Sequence, residues 1–261
     1  MKIATWNINS IRLRIDIVVS FIKKNNIDVL CLQETKTENK FFPLDKFINN
    51  GFIYSNINGQ KSYNGVAIIS KIPFLEKKKL MLCERNDARH VSVKFKNNIS
   101  LHNFYVPAGG DIPDPKTNPK FKYKLEFINE MKNYFHKDKT KKRILVGDLN
   151  IAPGESDVWS HKQLLNVVSY TPVERNHLHN LIREGDWVDL VRYNNLPNKK
   201  LFSWWSYRSK DWKISNRGRR LDHIFSSSDI KNKIKKIKIY KDLRDATKPS
   251  DHVPITAEVK L

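Results

Sequence analysis

Cysteine is almost missing from this chain: 261 residues hold two, Cys31 inside an apolar run and Cys83 beside Met81 and Leu82. Two such thiols offer neither zinc-ligand spacing nor a disulfide framework, so a zinc module and a stapled secreted scaffold are excluded. Both are expected to be buried structural thiols, which argues against a cysteine nucleophile. Long apolar runs are missing too. No stretch approaches the roughly 18 consecutive apolar residues of a membrane-spanning helix. The N-terminus runs straight into a strand-like segment, residues 2–8, instead of a cleavable signal, and the expected location is cytoplasmic. No repeat with a period of roughly 20 to 50 residues is visible, and no linker divides the chain. One domain over residues 1–261 is the expectation.

Acidic residues are comparatively few. Lys and Arg number 48 against 27 Asp and Glu, a net charge of +21, which makes the surface an attractor for polyanions. Nucleic acid comes first and anionic lipid second. Lys, Asn and Ile are all abundant, as an A·T-biased coding sequence would produce, so the charge is supporting evidence only.

What is present is a series of apolar runs that end on polar residues. Residues 144–150, Ile-Leu-Val-Gly-Asp-Leu-Asn, read as a buried strand that stops on Asp148 and Asn150 at its carboxyl edge, where α/β folds place ligands. In an extended backbone those two side chains leave on one face. Residues 3–8 form a similar strand ending at Asn7, and residues 28–35 another ending at Glu34. Ser10 is expected to cap a helix with Ile11, Ile15, Val18 and Ile22 on one stripe. Residues 90–95 and 99–106 form a hairpin that ends at Tyr105. Residues 107–120, with four prolines and Gly109-Gly110, are expected to be a surface loop with no helix. A helix with Leu125, Ile128, Met131 and Phe135 on one stripe follows. Thr171-Pro172-Val173-Glu174 is a capping box with an architectural purpose. Residues 202–208 are strand-like and aromatic, 221–225 are another strand, and 230–240 alternate Lys with Ile like a charge-protected edge strand. The mixture of hairpins and α/β connections points to an α/β fold of two packed mixed sheets with helices outside.

Collected by position, the polar groups at strand ends are Asn7, Glu34, Tyr105, Asp148, Asn150, Asp222, Asp251 and His252. Phosphodiester hydrolysis needs a divalent ion at the non-bridging oxygens, a base for water, and donors for the developing charge. This set contains each part, and hard oxygen ligands such as Glu34 suit Mg²⁺. His90, His102 and His223 have no motif around them and are expected to be structural. Trp204 and Trp205 should face opposite ways, with one packed inward. Arg208, Lys210, Lys213, Arg217 and Arg219 are candidates for tracking phosphates, with a solvated basic face as the competing account.

The motifs Leu-Gln-Glu-Thr at 32–35, Gly-Asp-Leu-Asn at 147–150 and Ser-Asp-His at 250–252 together resemble the exonuclease III family of abasic-site DNA repair nucleases. Residues 6–9, Lys36, Phe202-Ser203-Trp204, Tyr207-Arg208-Ser209, Arg220-Leu221-Asp222 and Lys248-Pro249 extend the resemblance over almost the entire chain. It implies a four-layer α/β sandwich like deoxyribonuclease I. It also implies a DNA repair phosphodiesterase that cuts duplex DNA 5′ to abasic sites and trims 3′ ends as a 3′-5′ exonuclease, working as a monomer with Mg²⁺ or, in its place, Mn²⁺. The implied metal set is Asn7, Glu34, Asp148, Asn150, Asp251 and His252, with Glu34 the principal ligand. The implied catalytic set is Tyr105, Asp148, Asn150, Asp222 and His252. There Asp148 orients or deprotonates water, Asn150 and His252 contact the phosphate, and Asp222 keeps His252 protonated. The family has competing assignments of the base between an Asp and a Tyr phenolate. Trp204 and Leu221 would wall the pocket for the base-less sugar, with Arg208 and Arg219 on DNA. Arg219 stands where members usually carry a large apolar or aromatic residue, which points to a more polar or more open pocket. Loop 107–120 differs from the shorter loop of the animal enzymes. The alternatives are a superfamily phosphatase acting on small or lipid phosphates, or a DNA-binding module without catalysis; the full set of acids speaks against the latter.

Overall fold

The computed structural model describes residues 1–209 and 211–260. The first eight strands are β1 (Lys2–Asn7), β2 (Val29–Gln33), β3 (Tyr54–Asn58), β4 (Val66–Ser70), β5 (Phe74–Lys78), β6 (His90–Phe95), β7 (Ser100–Tyr105) and β8 (Arg143–Asp148). Six more follow as β9 (Trp187–Asp189), β10 (Trp204–Trp205), β11 (Gly218–Arg219), β12 (Asp222–Ser227), β13 (Ile234–Ile239) and β14 (Ile255–Val259). They form two six-stranded sheets, ordered β13-β14-β1-β2-β4-β3 and β5-β6-β7-β8-β12-β9, and a two-stranded ribbon β10-β11. Each large sheet mixes directions: β1 runs parallel to β2 and β7 parallel to β8, while the remaining pairs are antiparallel.

Alternation along each strand explains the layering. Ile3, Val29, Cys31, Val66 and Ile68 of the first sheet meet Val91, Val93, Leu101, Ile144, Val146 and Ile224 of the second in one core. The residues between them face outward. Ala4, Trp6, Leu30 and Leu32 pack under Val18, Phe21 and Ile22 of the helix Ile11–Lys24. Phe104, Leu145 and Phe225 pack under the helices Pro119–Lys137 and Pro172–Glu184. The result is the expected four-layer α/β sandwich. Among the described residues no helix is long and apolar enough to cross a membrane.

Several local expectations need correction. Ser10 sits at the N-cap position of Ile11–Lys24 but makes no capping bond; its φ of 90° lies outside the extended backbone that a capping residue adopts. Loop 107–120 is two residues too long: Asn118 caps a helix whose first residue is Pro119, a position where proline costs no hydrogen bond. The aromatic segment 202–208 contributes only the two strand residues of β10, and the basic segment pairs from Ile234 onward after a 3₁₀ turn, with β13 at the sheet edge as anticipated. Strands β3 and β5 had no sequence reading, since their polar residues give no clean alternation. Cys31 is buried, whereas Cys83 is only partly so.

The same alternation continues into polar residues at one end of the sandwich. Thr5 and Asn7 follow Ile3 on the inner face of β1, and Asp148 follows Ile144 and Val146 on that of β8. Tyr105 is opposite Asp148 on one side and Asp222 is opposite it on the other. Just beneath, Gln33 donates to Thr5 Oγ1 (3.0 Å) and to Asn103 Oδ1 (2.6 Å), and Asn103 donates to the carbonyls of Leu32 and Ala67 (2.9 and 3.0 Å). A polar clasp therefore ties the two sheets under the rim. Gly147 lets β7 and β8 approach there: its φ is 137°, and an added Cβ would lie 2.0 Å from the Phe104 carbonyl oxygen. Strained backbone and overpacking each cost about 1–3 kcal/mol. Gly147→Ala is expected to lower stability by about 3 kcal/mol, measured as the urea unfolding midpoint; an unchanged midpoint would contradict this account of the rim.

Candidate active site

The rim residues converge because every strand carrying one ends, or begins, at the same edge. Asn7 closes β1, and Glu34 follows its parallel neighbour β2 directly. The Asn7 amide nitrogen donates to Glu34 Oε1 (2.9 Å) and to Asp148 Oδ2 (2.8 Å), joining acids from opposite sheets. Glu34 is left-handed at φ 50°, a conformation that costs a non-glycine residue about 1 kcal/mol or more. Backbone bonds hold it: Ser10 N–H donates to the Glu34 carbonyl (2.8 Å), and Thr35 and Lys36 N–H donate to Gly65 and Asn64 (3.1 and 3.0 Å).

Asp148 is fully buried. It accepts from Asn7, from the Asn150 backbone N–H (2.9 Å) and from the Asn150 side chain (3.2 Å). Burial raises its pKa to about 7, against the pull of His252. Asn150 reaches Asp148 through a turn, with φ 54°, and not along an extended strand as its spacing suggested. Its other amide hydrogen goes to the Val106 carbonyl (2.9 Å).

His252 lies 2.8 Å through Nδ1 from Asp222 Oδ2, and its Nε2 is 3.7 Å from Asp148 Oδ2. Trp6 Nε1 donates to the His252 carbonyl (3.0 Å), and Ser250 Oγ, itself donating to the Asn7 carbonyl (2.7 Å), accepts from the His252 N–H. Burial opposes a charge on the ring, but Asp222 and then Asp148 outweigh it and raise the pKa to about 10. An imidazolium at neutral pH follows. Tyr105 moves the other way from a phenolate: burial, with Glu34 and Asp148 adding, raises its pKa well above the ordinary value.

Asp251 accepts from Asn9 Nδ2 (3.1 Å) and from Trp204 Nε1 (2.9 Å). Lys36 makes an ion pair with Glu34 (2.8 Å). For Glu34, burial is outweighed by Lys36 and Asn7; for Asp251, burial is outweighed by His252 and Trp204. Both carboxyls are held below their ordinary values. Glu34, Tyr105, Asn150, Trp204, Asp251 and His252 open into one cleft of about 560 Å³, together with Val167, Val168, Arg208, Arg219 and Leu221.

Oxygen donors for a hard cation at the cleft are offered by Glu34 and Asp251, whereas Asn7 Oδ1 already accepts from the Asn9 N–H (3.1 Å), and the Lys36 ammonium shows that the Glu34 carboxylate accommodates a positive charge. Asp148, Asp222 and His252 also bring donor atoms within 4.8 Å of one another, a spacing that admits a metal ion. The short His252–Asp222 contact favours proton holding over metal binding in that second group, since an imidazolium has no lone pair to offer.

Other expected residues are placed less centrally. Trp205 packs inward and Trp204 faces the cleft. Lys213 is exposed and paired with Asp245 (2.7 Å), and Arg217 lies 4.8 Å over the Trp159 ring. Arg219 belongs to the cleft wall and not to a solvated face; Lys210 is outside the described residues. His223, bonded to the Ile151 carbonyl and Arg220, and the His90–His102 pair are core groups.

Sequence reasoning named Asn9 and Lys36 within motifs but gave them no role in the site, and it missed Arg14 and the pairing of Glu174 with Lys124. Arg14 donates to the carbonyls of Ile8, Asn9 and Lys248 and to the Tyr207 hydroxyl, joining two loops of the site. Lys124 and Glu174 form a fully buried ion pair (2.5 Å). Lys124 also donates to the carbonyls of Ala108 and Asn150 (3.1 and 2.8 Å), and Glu174 accepts from Ser169 N–H, so the capping box fixes the cleft wall as well as a helix start. The available signal was a lysine on an apolar stripe with Phe121, Ile128 and Phe135.

Similarity to known proteins agrees with this geometry. The Endonuclease/Exonuclease/phosphatase family matches residues 4–252. Exodeoxyribonuclease III of Haemophilus influenzae is 32% identical over the full length of both chains. An AP endonuclease from Archaeoglobus fulgidus superposes with a TM-score of 0.92 at 32% identity, and a 3′ phosphatase from Neisseria bound to a product DNA hairpin with 0.92 at 28%, each covering 100% of both chains. A match over residues 4–252, which include Asn7, Asp148 and His252, makes this chain a member of the endonuclease/exonuclease/phosphatase family, akin to its exonuclease III and AP endonuclease members, and a hydrolase of the nuclease type.

Proposed function

We propose that the chain is a Mg²⁺-dependent DNA repair phosphodiesterase that incises duplex DNA 5′ to abasic sites and trims 3′ ends. The observation that carries this reading is a buried carboxylate, Asp148, 3.7 Å from an imidazolium, His252, that opens with Glu34 into one cleft. Its similarity to exodeoxyribonuclease III and AP endonucleases supplies the substrate class. A net charge of +21 suits a polyanion, whose counterions are released on binding.

Glu34, with Asn7 and Asp251, would hold Mg²⁺, which would supply charge neutralisation for the phosphate. Asp148 accepts the proton of the attacking water, and its raised pKa suits a base working near neutral pH. His252 donates through Nε2 to a non-bridging oxygen while Asp222 keeps the ring charged and oriented. Asn150 donates to the same phosphate by exchanging its longer bond, the one to Asp148. Tyr105 remains a neutral phenol and serves as a donor, which assigns the base to Asp148. The sequence placed His252 among the metal ligands as well; this reading gives it to the phosphate alone. Trp204 and Leu221 wall the space for the base-less sugar, and Arg208 at the mouth contacts the backbone.

With a duplex containing a tetrahydrofuran abasic analogue, incision should require Mg²⁺ and vanish in EDTA. Asp148→Asn should reduce it by about 100-fold or more. Incision that persists in EDTA would end the proposal. A second outcome concerns pH. The neighbouring carboxylate raises the pKa of His252, so activity is kept until the ring loses its proton at about 10. Asp222→Asn lowers that pKa, and the alkaline limb of kcat/KM against pH should move down by at least about one unit. A limb that stays in place would remove His252 from the phosphate. Finally, Trp204→Ala should reduce the preference for abasic over intact duplex by about tenfold, measured as a ratio of kcat/KM; an unchanged ratio would sink the wall assignment.

A further inference from the structure

Three segments of the site meet on the Arg14 side chain, and the mechanism above gives it no part. The helix Ile11–Lys24 departs from helical dihedrals at this residue (φ −123°, ψ 15°), and the buried side chain turns back toward the residues that precede the helix. Its Nε donates to the Lys248 carbonyl (3.0 Å), Nη1 to the carbonyls of Ile8 (3.3 Å) and Asn9, and Nη2 to the Tyr207 hydroxyl (2.9 Å). That hydroxyl in turn donates to the Pro249 carbonyl (2.8 Å). All of these acceptors are neutral oxygens, so the planar fork serves as a brace between backbones. Each braced segment carries chemistry. Residues 7–9 hold Asn7, bonded to Glu34 and Asp148, and Asn9, bonded to Asp251. Residues 248–252 end on Asp251 and His252. Residues 206–208 put Ser206 and Arg208 in the cleft wall, while the Arg244 guanidinium lies 5.0 Å over the half-exposed Tyr207 ring.

A duplex docked on Arg208 brings a phosphate to His252 only as accurately as residues 206–208 are fixed relative to residues 250–252. An error of about 1 Å in such a placement costs about 100-fold in rate. The ribbon is tied to Asp251 at Trp204 and Trp205, and the contact of Tyr207 with Arg14 extends that tie to the turn that carries Arg208. We propose that Arg14 is a positioning residue: it makes the turn at 206–208 and the edge carrying Asp251 and His252 one rigid body, and so converts docking of the duplex backbone into placement of the scissile phosphate. This rests on the nuclease reading above. Arg14 acts through Tyr207, Asn9 and Lys248, not by touching the reacting atoms. Its loss therefore falls on turnover more than on duplex affinity, because Arg208, Trp204 and the surface charge still meet the DNA.

The test uses the full chain and the internal tetrahydrofuran duplex, with kcat and KM measured in Mg²⁺ and duplex affinity measured in EDTA across a salt series. Arg14→Met should lower kcat by about 30-fold or more, while the affinity in EDTA and its salt slope stay within about twofold of wild type. Arg14→Lys, which keeps the charge but not the fork that spans these acceptors, should recover less than about threefold of the loss. Tyr207→Phe, which removes only the hydroxyl, should lower kcat by about threefold or more, and adding it to Arg14→Met should cost less than about twofold further, because one brace is broken only once. An unchanged kcat in Arg14→Met would overturn the inference. So would a loss that appears as weaker binding with a shallower salt slope and that Arg14→Lys restores, which would make Arg14 a phosphate contact. Losses that multiply in the double variant would overturn it too, since separate structural roles at the two residues act independently. If Arg14→Met shows no cooperative urea transition, Tyr207→Phe decides: a lowered kcat at unchanged affinity supports the inference and an unchanged kcat overturns it. A wild-type protein that leaves the tetrahydrofuran duplex uncut would overturn the nuclease reading and the inference together, whereas contrary results in the variants alone leave that reading intact.

Discussion

One amide holds the site together. Asn7 donates to Glu34 from its own sheet and to Asp148 from the opposite sheet, so two carboxylates that would repel each other share a single neutral donor. The contact spans 141 positions of sequence, and it exists only because the apolar faces of two sheets pack together beneath it. The Gln33–Asn103 clasp fixes their relative register just below. Gly147 lets the neighbouring strand come close enough for Tyr105 and Asp148 to stand side by side.

A second constraint is charge. Burying Asp148 and Asp222 is expensive unless positive or donating groups meet them, and His252 meets both. The compensation has a chemical consequence: the acids that make the ring cationic also make it a donor at neutral pH, while burial, with Glu34 and Asp148 adding, keeps Tyr105 protonated. Lys124 and Glu174 answer the same problem further out. Their pairing ties the Asn150 turn, the Ala108 loop and the Ser169 wall into one unit. Thus the ion pair acts on cleft geometry, although neither side chain lines the cleft.

Strand parity makes much of this legible. Ile3, Thr5 and Asn7, or Ile144, Val146 and Asp148, are single rows on an alternating backbone, and a polar residue at the end of an apolar row belongs at the rim of the core. Alternation failed where strands were short or polar, as in β3, β5 and β10, because pairing partners and not local pattern decide those segments.

The sequence by itself determined the chemistry available: oxygen ligands without a zinc set, one motif-borne histidine, a strong positive charge, and strand ends occupied by acids and amides. It also determined the layered architecture, since periodicity and turn residues are local properties. Only the tertiary structure decided which acid faces which cation. The bond from Asn7 to Asp148, the burial of Lys124 against Glu174 and the seating of Arg219 on Trp204 and Val168 in the cleft wall all depend on side chains far apart along the chain. Local pattern states what a residue can do, but the field it works in is set by its neighbours in space, and those neighbours exist only once both sheets have closed on each other.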